Sequence, residues 1–302
     1  MVRHWARKLG ARKLGARTPA IAALAMAATG WAGLAHACAG AGVITRIEGR
    51  AQDVVITRTD GGATTTVTRP RVLEVVCHSD KVTTVGATYV MLSIDGAGTV
   101  KVDQHAAYVV PAHSGTPSVI SNAYSALNDQ VMPDMKRLPW NVRLKGAGDD
   151  FGFALPSLTT GGQELQAGDR SLLVRLVGGA APYTVQIRDA SNAVVAHQTS
   201  PDHDVVLPHV TLAPGAYKIT ASDSTPRAMD ATIAVVTTTP PADSSFASLG
   251  DPEIRSAAAA ATLAREAPTP WSFEAEQQLE AAPANGLDRD KVYELIESYG
   301  TD

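Results

Sequence analysis

The sequence predicts a mainly β protein that is made for export and ends in a short α-helical segment. Three observations support this prediction: a signal-like N-terminus, many short Val-, Ile- and Thr-rich runs between residues 43 and 236, and an Ala-rich stretch after residue 250. β-Branched residues suit pleated strands, whereas Ala has the highest helix propensity. The chain has 302 residues, which is long enough for two domains and accessory segments.

Residues 1–37 have the composition of a secretory signal peptide. Six basic residues and no acidic ones precede Thr18, an apolar stretch covers 19–34, and the segment ends with Ala35-His36-Ala37. A basic start, an apolar middle and small residues two apart predict cleavage after Ala37 and a mature protein in the periplasm or secreted. An uncleaved membrane anchor stays open, because 18–37 has the ~20 residues that a bilayer span needs.

The only cysteines are Cys38, directly after the predicted cleavage site, and Cys77. Exported proteins meet an oxidising compartment, so the pair is a candidate disulfide that would pin the new N-terminus to the first domain. The second possibility is that both cysteines are free thiols. Lipidation of Cys38 is the third, although Ala35 and His36 fit the usual bacterial lipoprotein signal poorly.

The charge balance excludes nucleic acid as an expected partner. The formal net charge is −4, and removal of the signal's six basic residues leaves 20 basic against 30 acidic residues, or −10. Phosphate contacts dominate affinity for nucleic acid, and an acidic protein cannot make many of them. Membrane contact is expected only if the signal is uncleaved or Cys38 is lipidated. An aromatic content of 5% also counts against a carbohydrate-binding or cell-wall-sensing role.

A hairpin is the clearest element of the first β region, which we place at 38–115. Apolar and other residues alternate over 88–94, a Gly-rich turn follows at 95–98, and the alternation resumes over 99–103. The segments Gly86-Ala-Thr-Tyr-Val-Met-Leu-Ser-Ile-Asp-Gly96, Thr99-Val-Lys-Val-Asp103 and Tyr108-Val-Val110 resemble the periplasmic β domain of the FecR family. The resemblance implies a small extracytoplasmic β fold that makes contacts rather than performing chemistry. That family's signalling role needs a cytoplasmic segment that 1–37 does not supply.

Residues 165–236 predict a β-sandwich, because six short strands alternate with Gly-, Pro- and Asp-containing turns. Gly178-Gly-Ala-Ala-Pro-Tyr183 and Leu212-Ala-Pro-Gly-Ala-Tyr217 resemble signatures of bacterial Ig-like modules. The resemblance implies an Ig-like fold and no particular function, since that fold hosts many functions.

Helical segments are predicted on both sides of the sandwich. Residues 116–164 form a connector that opens with a helix at Thr116-Pro117 and includes short strands at 140–145 and 151–155. A Thr-, Pro- and Ser-rich linker follows the sandwich at 237–250. The tail, 251–302, contains three helices, the first capped by Asp251. Its aromatic residues Trp271, Phe273 and Tyr299 are the candidates for docking an envelope protein partner.

No motif in the sequence predicts catalysis or a bound cofactor, so we expect a non-enzymatic envelope protein that binds or scaffolds partners in signalling or assembly. The alternative is a metal-dependent or hydrolytic enzyme of unrecognised type. It would use His197, His203 and His209, which are spaced by six residues and flank Asp202 and Asp204. Histidine and carboxylate suit zinc or copper, but this spacing matches no known ligand pattern.

Overall fold

The computed structural model describes residues 38–60, 62–112, 119–138, 150–225, 227–265 and 270–299. The predicted signal peptide, the strand predicted at 140–145 and Thr116-Pro117, which were expected to open the connector helix, lie outside these ranges. None of the helices within them is long and apolar enough to cross a membrane.

The described residues are mainly β, as predicted. Their strands, in chain order, are β1 Gly40–Glu48, β2 Val54–Asp60, β3 Ala63–Thr68, β4 Val75–Cys77, β5 Lys81–Thr84, β6 Tyr89–Ile94, β7 Gly98–Val102, β8 Tyr108–Val109, β9 Gly152–Phe153, β10 Gln163–Gln166, β11 Gly168–Val177, β12 Tyr183–Arg188, β13 Val194–Ser200, β14 Asp204–Leu212, β15 Gly215–Ser222 and β16 Ala228–Val236. The α-helices are α1 Val119–Gln130, α2 Met132–Arg137, α3 Ser157–Thr160, α4 Pro252–Arg265, α5 Ser272–Ala281 and α6 Arg289–Ser298.

The first β region folds into two four-stranded sheets, ordered β4-β1-β6-β7 and β3-β2-β5-β8. The predicted hairpin is confirmed as β6 and β7, which pair antiparallel from Val90↔Val102 to Ile94↔Gly98. Val90, Leu92 and Ile94 point into the apolar core between the sheets, whereas the alternate residues of β6 are half-buried. The period-two pattern of the sequence therefore predicted correctly that one face of the hairpin lies in a core.

The second β region is an Ig-like sandwich, as predicted. A five-stranded sheet, β10-β16-β15-β12-β13, faces a three-stranded one, β14-β11-β9, and β10 runs parallel to β16. Near the start of β15, the Tyr217 hydroxyl accepts a hydrogen bond from the Ala213 N–H (3.1 Å) and donates one to the Ala213 carbonyl (3.0 Å). This is the tyrosine corner typical of Ig-like domains, and it explains the Leu-x-Pro-Gly-x-Tyr signature.

The C-terminal helices form an internal layer rather than an extended tail. One continuous apolar core contains Val43 of β1, Leu127 of α1, Ala261 of α4, Phe273 of α5 and the inner residues of the Ig-like sandwich. Gly40 shows how closely this layer packs, because a Cβ there would overlap the Tyr124 side chain of α1. The predicted linker joins the layer too, since Phe246 and Leu249 are buried in the same core.

The two sandwiches consequently lie on either side of a helical layer. Sheet β4-β1-β6-β7 packs on this layer with Val43 and Val75 and on its own partner sheet with Ile44 and Val76. On the other side, α5 packs against β10 and β11. The first sandwich thus turns one sheet inward to the helices and the other outward, whereas α5 contacts one strand from each sheet of the Ig-like sandwich.

Four of these elements were not predicted from the sequence: β5, β10, α2 and α3. Pro133 occupies the first turn of α2, directly after α1. Proline is tolerated at that position because the N–H that it lacks has no partner within a helix.

Candidate functional site

The predicted disulfide is confirmed. Cys38 and Cys77 are bonded, with their Cα atoms 5.7 Å apart, because β1 and β4 are neighbours and Gly40 pairs with Cys77. The bridge occupies the Cys38 sulfur that lipidation would require, and it leaves neither cysteine as a free thiol.

The predicted docking residues lie inside the protein. Phe273 is fully buried and Trp271 is 8% exposed, and both belong to the core that joins the helical layer to the Ig-like sandwich. Tyr299 is half-buried and donates a hydrogen bond to Asp134 of α2 (3.0 Å). This corrects the expectation: aromatic residues on amphipathic helices were taken for a surface, but the chain covers them with its own strands and helices.

The three histidines of the alternative hypothesis do not form a site together. His197 and His209 lie on exposed positions of β13 and β14. His203 lies in the turn between these strands, with Nε2 at 2.9 Å from the Tyr183 hydroxyl and 3.0 Å from the Gly178 carbonyl oxygen. Within the described ranges, no three His, Cys, Asp or Glu residues are arranged to hold a metal ion.

His203 does line a cleft of about 370 Å³ where the Ig-like sandwich meets α6, together with Arg175, Asp202, Asp204 and Asp290. The Tyr183 ring contacts the imidazole, with their centroids 4.6 Å apart. The His203 ring is therefore held by the strand β12 and by the Gly178 backbone.

Arg175 is the centre of a buried ionic cluster behind this cleft. Its guanidinium lies 2.8 Å from Glu297 of α6 and 3.1 Å from Asp204 of β14. A third carboxylate, Asp290, is at 3.6 Å, and the Tyr293 ring stacks on the guanidinium with its centroid 4.3 Å away. The side chains of Arg175 and Glu297 are 9% and 3% exposed, so this pair joins α6 to the sandwich out of solvent, whereas Asp204 and Asp290 approach from the exposed side.

The Arg175 cluster contains more carboxyl groups than positive charges, and their pKa values are shifted. Burial raises the pKa of Glu297 to about 7, although Arg175 opposes the shift. Burial, reinforced by the charge of Glu297, raises the pKa of Glu276 well above its ordinary value. Burial alone would lower the pKa of Arg175, but Glu297, Asp204 and Glu276 outweigh it and raise that pKa. The single positive charge of Arg175 thus cannot neutralise all the carboxyl groups around it when they are ionised.

Two solvent-facing sheet surfaces are the other candidates for function. We call the outward side of β10-β16-β15-β12-β13 the Ig outer face. It carries small and polar residues, among them exposed Thr232 and the ion pair of Lys218 with Asp230 (2.8 Å). We call the outward side of β3-β2-β5-β8 the threonine face, after the cross-strand pairs Thr57↔Thr66 and Thr59↔Thr64.

Comparisons with known proteins name no family. No protein-family model matches the chain, and no curated protein matches it. Among solved structures, the chain is similar to CopC from Methylosinus trichosporium OB3b, with 20% identity over 28% of this chain and 88% of that one, at a TM-score of 0.21.

Two further similar structures are built from Ig domains. The ZIG-8–RIG-5 IG1–IG1 heterodimer matches with 12% identity over 36% of this chain and 98% of that one, at a TM-score of 0.19. DIP-gamma IG1+IG2 matches with 10% identity over 60% of this chain and 82% of that one, at a TM-score of 0.20. Such low scores carry no argument, so the Ig-like assignment rests on strand order and the tyrosine corner. The FecR resemblance finds no support among these matches.

The sequence did not reveal the Arg175 cluster. Its members lie on β11, β14, α5 and α6, up to 122 residues apart. One signal was present: Glu276 and Glu297 each lie among apolar helix positions, where a charged side chain is unusual unless it is paired.

Proposed function

We propose that the chain is an exported, non-enzymatic envelope protein that binds or scaffolds protein partners through its two outward sheet faces. The observation that carries this proposal is the layer order. The helices pack on the inner sheet of the first sandwich and on β10 and β11 of the Ig-like one, whereas the outward side chains of β3, β15 and β16 are largely exposed.

The size of the Ig outer face suits a protein partner. Strands lie about 4.8 Å apart and rise about 3.3 Å per residue, so the five strands, of four to nine residues each, present roughly 540 Å². Each partner in a standard protein interface contributes about 800 Å². The sheet alone presents about two thirds of that area, and its outward side chains are small or polar.

The disulfide supports the export part of the proposal. Disulfides persist in oxidising compartments such as the periplasm and the extracellular space. The Cys38–Cys77 bridge begins directly after the predicted signal peptide and so ties the proposed mature N-terminus to β4. A role in signalling or in assembly would follow from the identity of the partner.

Site-specific photocrosslinking in the producing cell tests this proposal. A photoreactive amino acid would replace exposed Thr232 on the Ig outer face or exposed Thr66 on the threonine face. The matched control replaces Asn128, an exposed residue of α1 in the helical layer. We expect discrete crosslinked protein bands from at least one face and none from Asn128. Equal crosslinking at all three positions, or none at any, would reject the sheets as the binding surface.

A further inference from the structure

The contact between α6 and the Ig-like sandwich contains two buried carboxyl groups that lack full hydrogen bonding. Glu276 is 1% exposed and Glu297 is 3% exposed. Oε1 of Glu276 and Oε2 of Glu297 are buried with no hydrogen-bond partner. An ionised carboxylate without partners is costly to bury, whereas a protonated one is far less so.

The charged and titratable groups around these two residues come from every packed element. Arg175 of β11 faces them from the sandwich, together with Asp204 of β14. The neighbouring groups on α6 are Asp290 and Glu294, and Tyr293, which donates a hydrogen bond to Glu280 of α5 (2.9 Å). Arg175 is in contact with Glu297 and also with Asp204 and Asp290 on the solvent side, and Lys291 of α6 pairs with Glu294 (2.8 Å).

We propose that this contact is a proton-dependent clamp, which holds α6 on the Ig-like sandwich while Glu276 and Glu297 are protonated and loosens when both ionise around Arg175. Arg175 offsets one negative charge of this group, and protonation of Glu276 and Glu297 removes the charges that are buried. The clamp joins the sandwich that carries the Ig outer face to the helical layer. It would therefore let external pH control how rigidly that face is held.

The direction of the effect follows from the raised pKa values. A carboxyl whose folded pKa exceeds its unfolded value stabilises the folded contact fully below the unfolded pKa, and this stability is lost as pH rises through the folded pKa. For Glu297 that window runs from about 4.5 to about 7, and Glu276 extends it upward. From Glu297 alone, the equilibrium constant for opening should rise about 30-fold between pH 5.5 and pH 8.5.

Hydrogen exchange of the exported protein at pH 5.5 and pH 8.5, corrected for intrinsic rates, tests the clamp. We expect the opening constant of the α6 amides to rise about 30-fold, with little change in the β6–β7 hairpin. The double variant Glu276→Gln, Glu297→Gln copies the protonated shapes and should remove the rise. The matched control Glu274→Gln, which alters the ion pair of α5 with Arg170, should keep it.

The outcomes separate clearly. No rise in the original protein, or an equal rise in the double variant, would overturn the proposal. A rise spread evenly over α6 and the β6–β7 hairpin would overturn it as well, because the pH dependence would then be global. The result does not depend on the proposed partner, so failure of the crosslinking experiment and failure of the clamp are distinguishable.

Discussion

Arg175 is the residue on which the junction of helices and sandwich depends most. It contacts carboxylates from two helical positions and one strand, and an aromatic ring covers one side of its guanidinium. A buried ion pair adds modest net stability, but removing one member leaves the other charge uncompensated. Loss of Arg175 should therefore cost more stability than the intact ion pairs add.

Replacement of Arg175 by Ala should lower the free energy of unfolding by about 3–5 kcal/mol at pH 8. The loss should be smaller at pH 5, where Glu297, with a pKa of about 7, is protonated and needs no counterion. Urea denaturation at both pH values measures this. Arg188→Ala on the Ig outer face is the control and should change stability by less than about 0.5 kcal/mol. A loss of equal size at both pH values would show that the carboxyl groups are not protonated in acid.

Tyr217 is a second residue whose contribution to stability can be measured, through its hydroxyl group. In Tyr217→Phe, the N–H and carbonyl of Ala213 lose the partner that they share. We expect the free energy of unfolding to fall by about 1–2 kcal/mol. Tyr89→Phe, on the half-buried side of the β6–β7 hairpin, is the matched control. Equal effects of the two variants on the denaturation midpoint would argue against a tyrosine corner.

At the scale of elements, α5 is held to the sandwich by polar side chains rather than by an apolar stripe alone. Gln277 bonds both the N–H (2.8 Å) and the carbonyl (2.9 Å) of Leu173 on β11. Glu274 forms a second anchor, with the Arg170 guanidinium and the Gln166 N–H. Buried polar groups of this kind fix one orientation of the helix, because any shift leaves them without partners.

Gln277→Ala should therefore destabilise the protein by about 1–3 kcal/mol, since two buried backbone groups of Leu173 lose their partner. Thermal unfolding of this variant beside Gln278→Ala, one position further along α5, provides the comparison. The midpoint of thermal unfolding of the Gln278 variant should be close to that of the original protein. If the Gln278 variant proves the less stable of the two, the assigned anchor is wrong.

The disulfide is an element-scale constraint on β1 and β4. It closes a loop of 39 residues, and loss of such a crosslink typically costs about 2–4 kcal/mol. The double variant Cys38→Ser, Cys77→Ser should show this loss in denaturation experiments, and adding reductant to the original protein should reproduce it. Unchanged stability in both experiments would mean that the bridge does not support the fold.

The sequence predicted elements well where the signal is local. Val90, Leu92 and Ile94 alternate with half-buried neighbours, and Asp251 accepts hydrogen bonds from the N–H groups of Glu253 (2.9 Å) and Ile254 (3.4 Å) as a cap should. The short β10 was missed because Gln163-Glu-Leu-Gln166 has no β-like composition, and its pairing with β16 comes from tertiary context. The Arg175 cluster was missed for the same reason, since its members are distant in sequence.

At the scale of the whole molecule, the largest difference between expectation and structure concerns residues 237–302. A Pro- and Ser-rich linker followed by amphipathic helices is typical of an appendage, and periodicity alone does not say which neighbour an apolar helix face meets. Here Phe246, Ala257 and Phe273 complete the core between the sandwiches. Deletion of 246–302 would therefore remove core rather than a docking element, and loss of a partner after that deletion would not identify the binding surface.

The most direct test of this layered architecture is the thermal unfolding of a mature chain that ends at residue 245, compared with the mature chain that ends at 302. The truncated chain keeps α1 on β1 but loses α4, α5 and α6, which complete the core between α1 and the Ig-like sandwich. We therefore predict no cooperative unfolding transition and loss of the near-ultraviolet circular dichroism signal. A cooperative transition in the truncated chain, within a few degrees of the full one, would show that the helices are an appendage and would contradict the account.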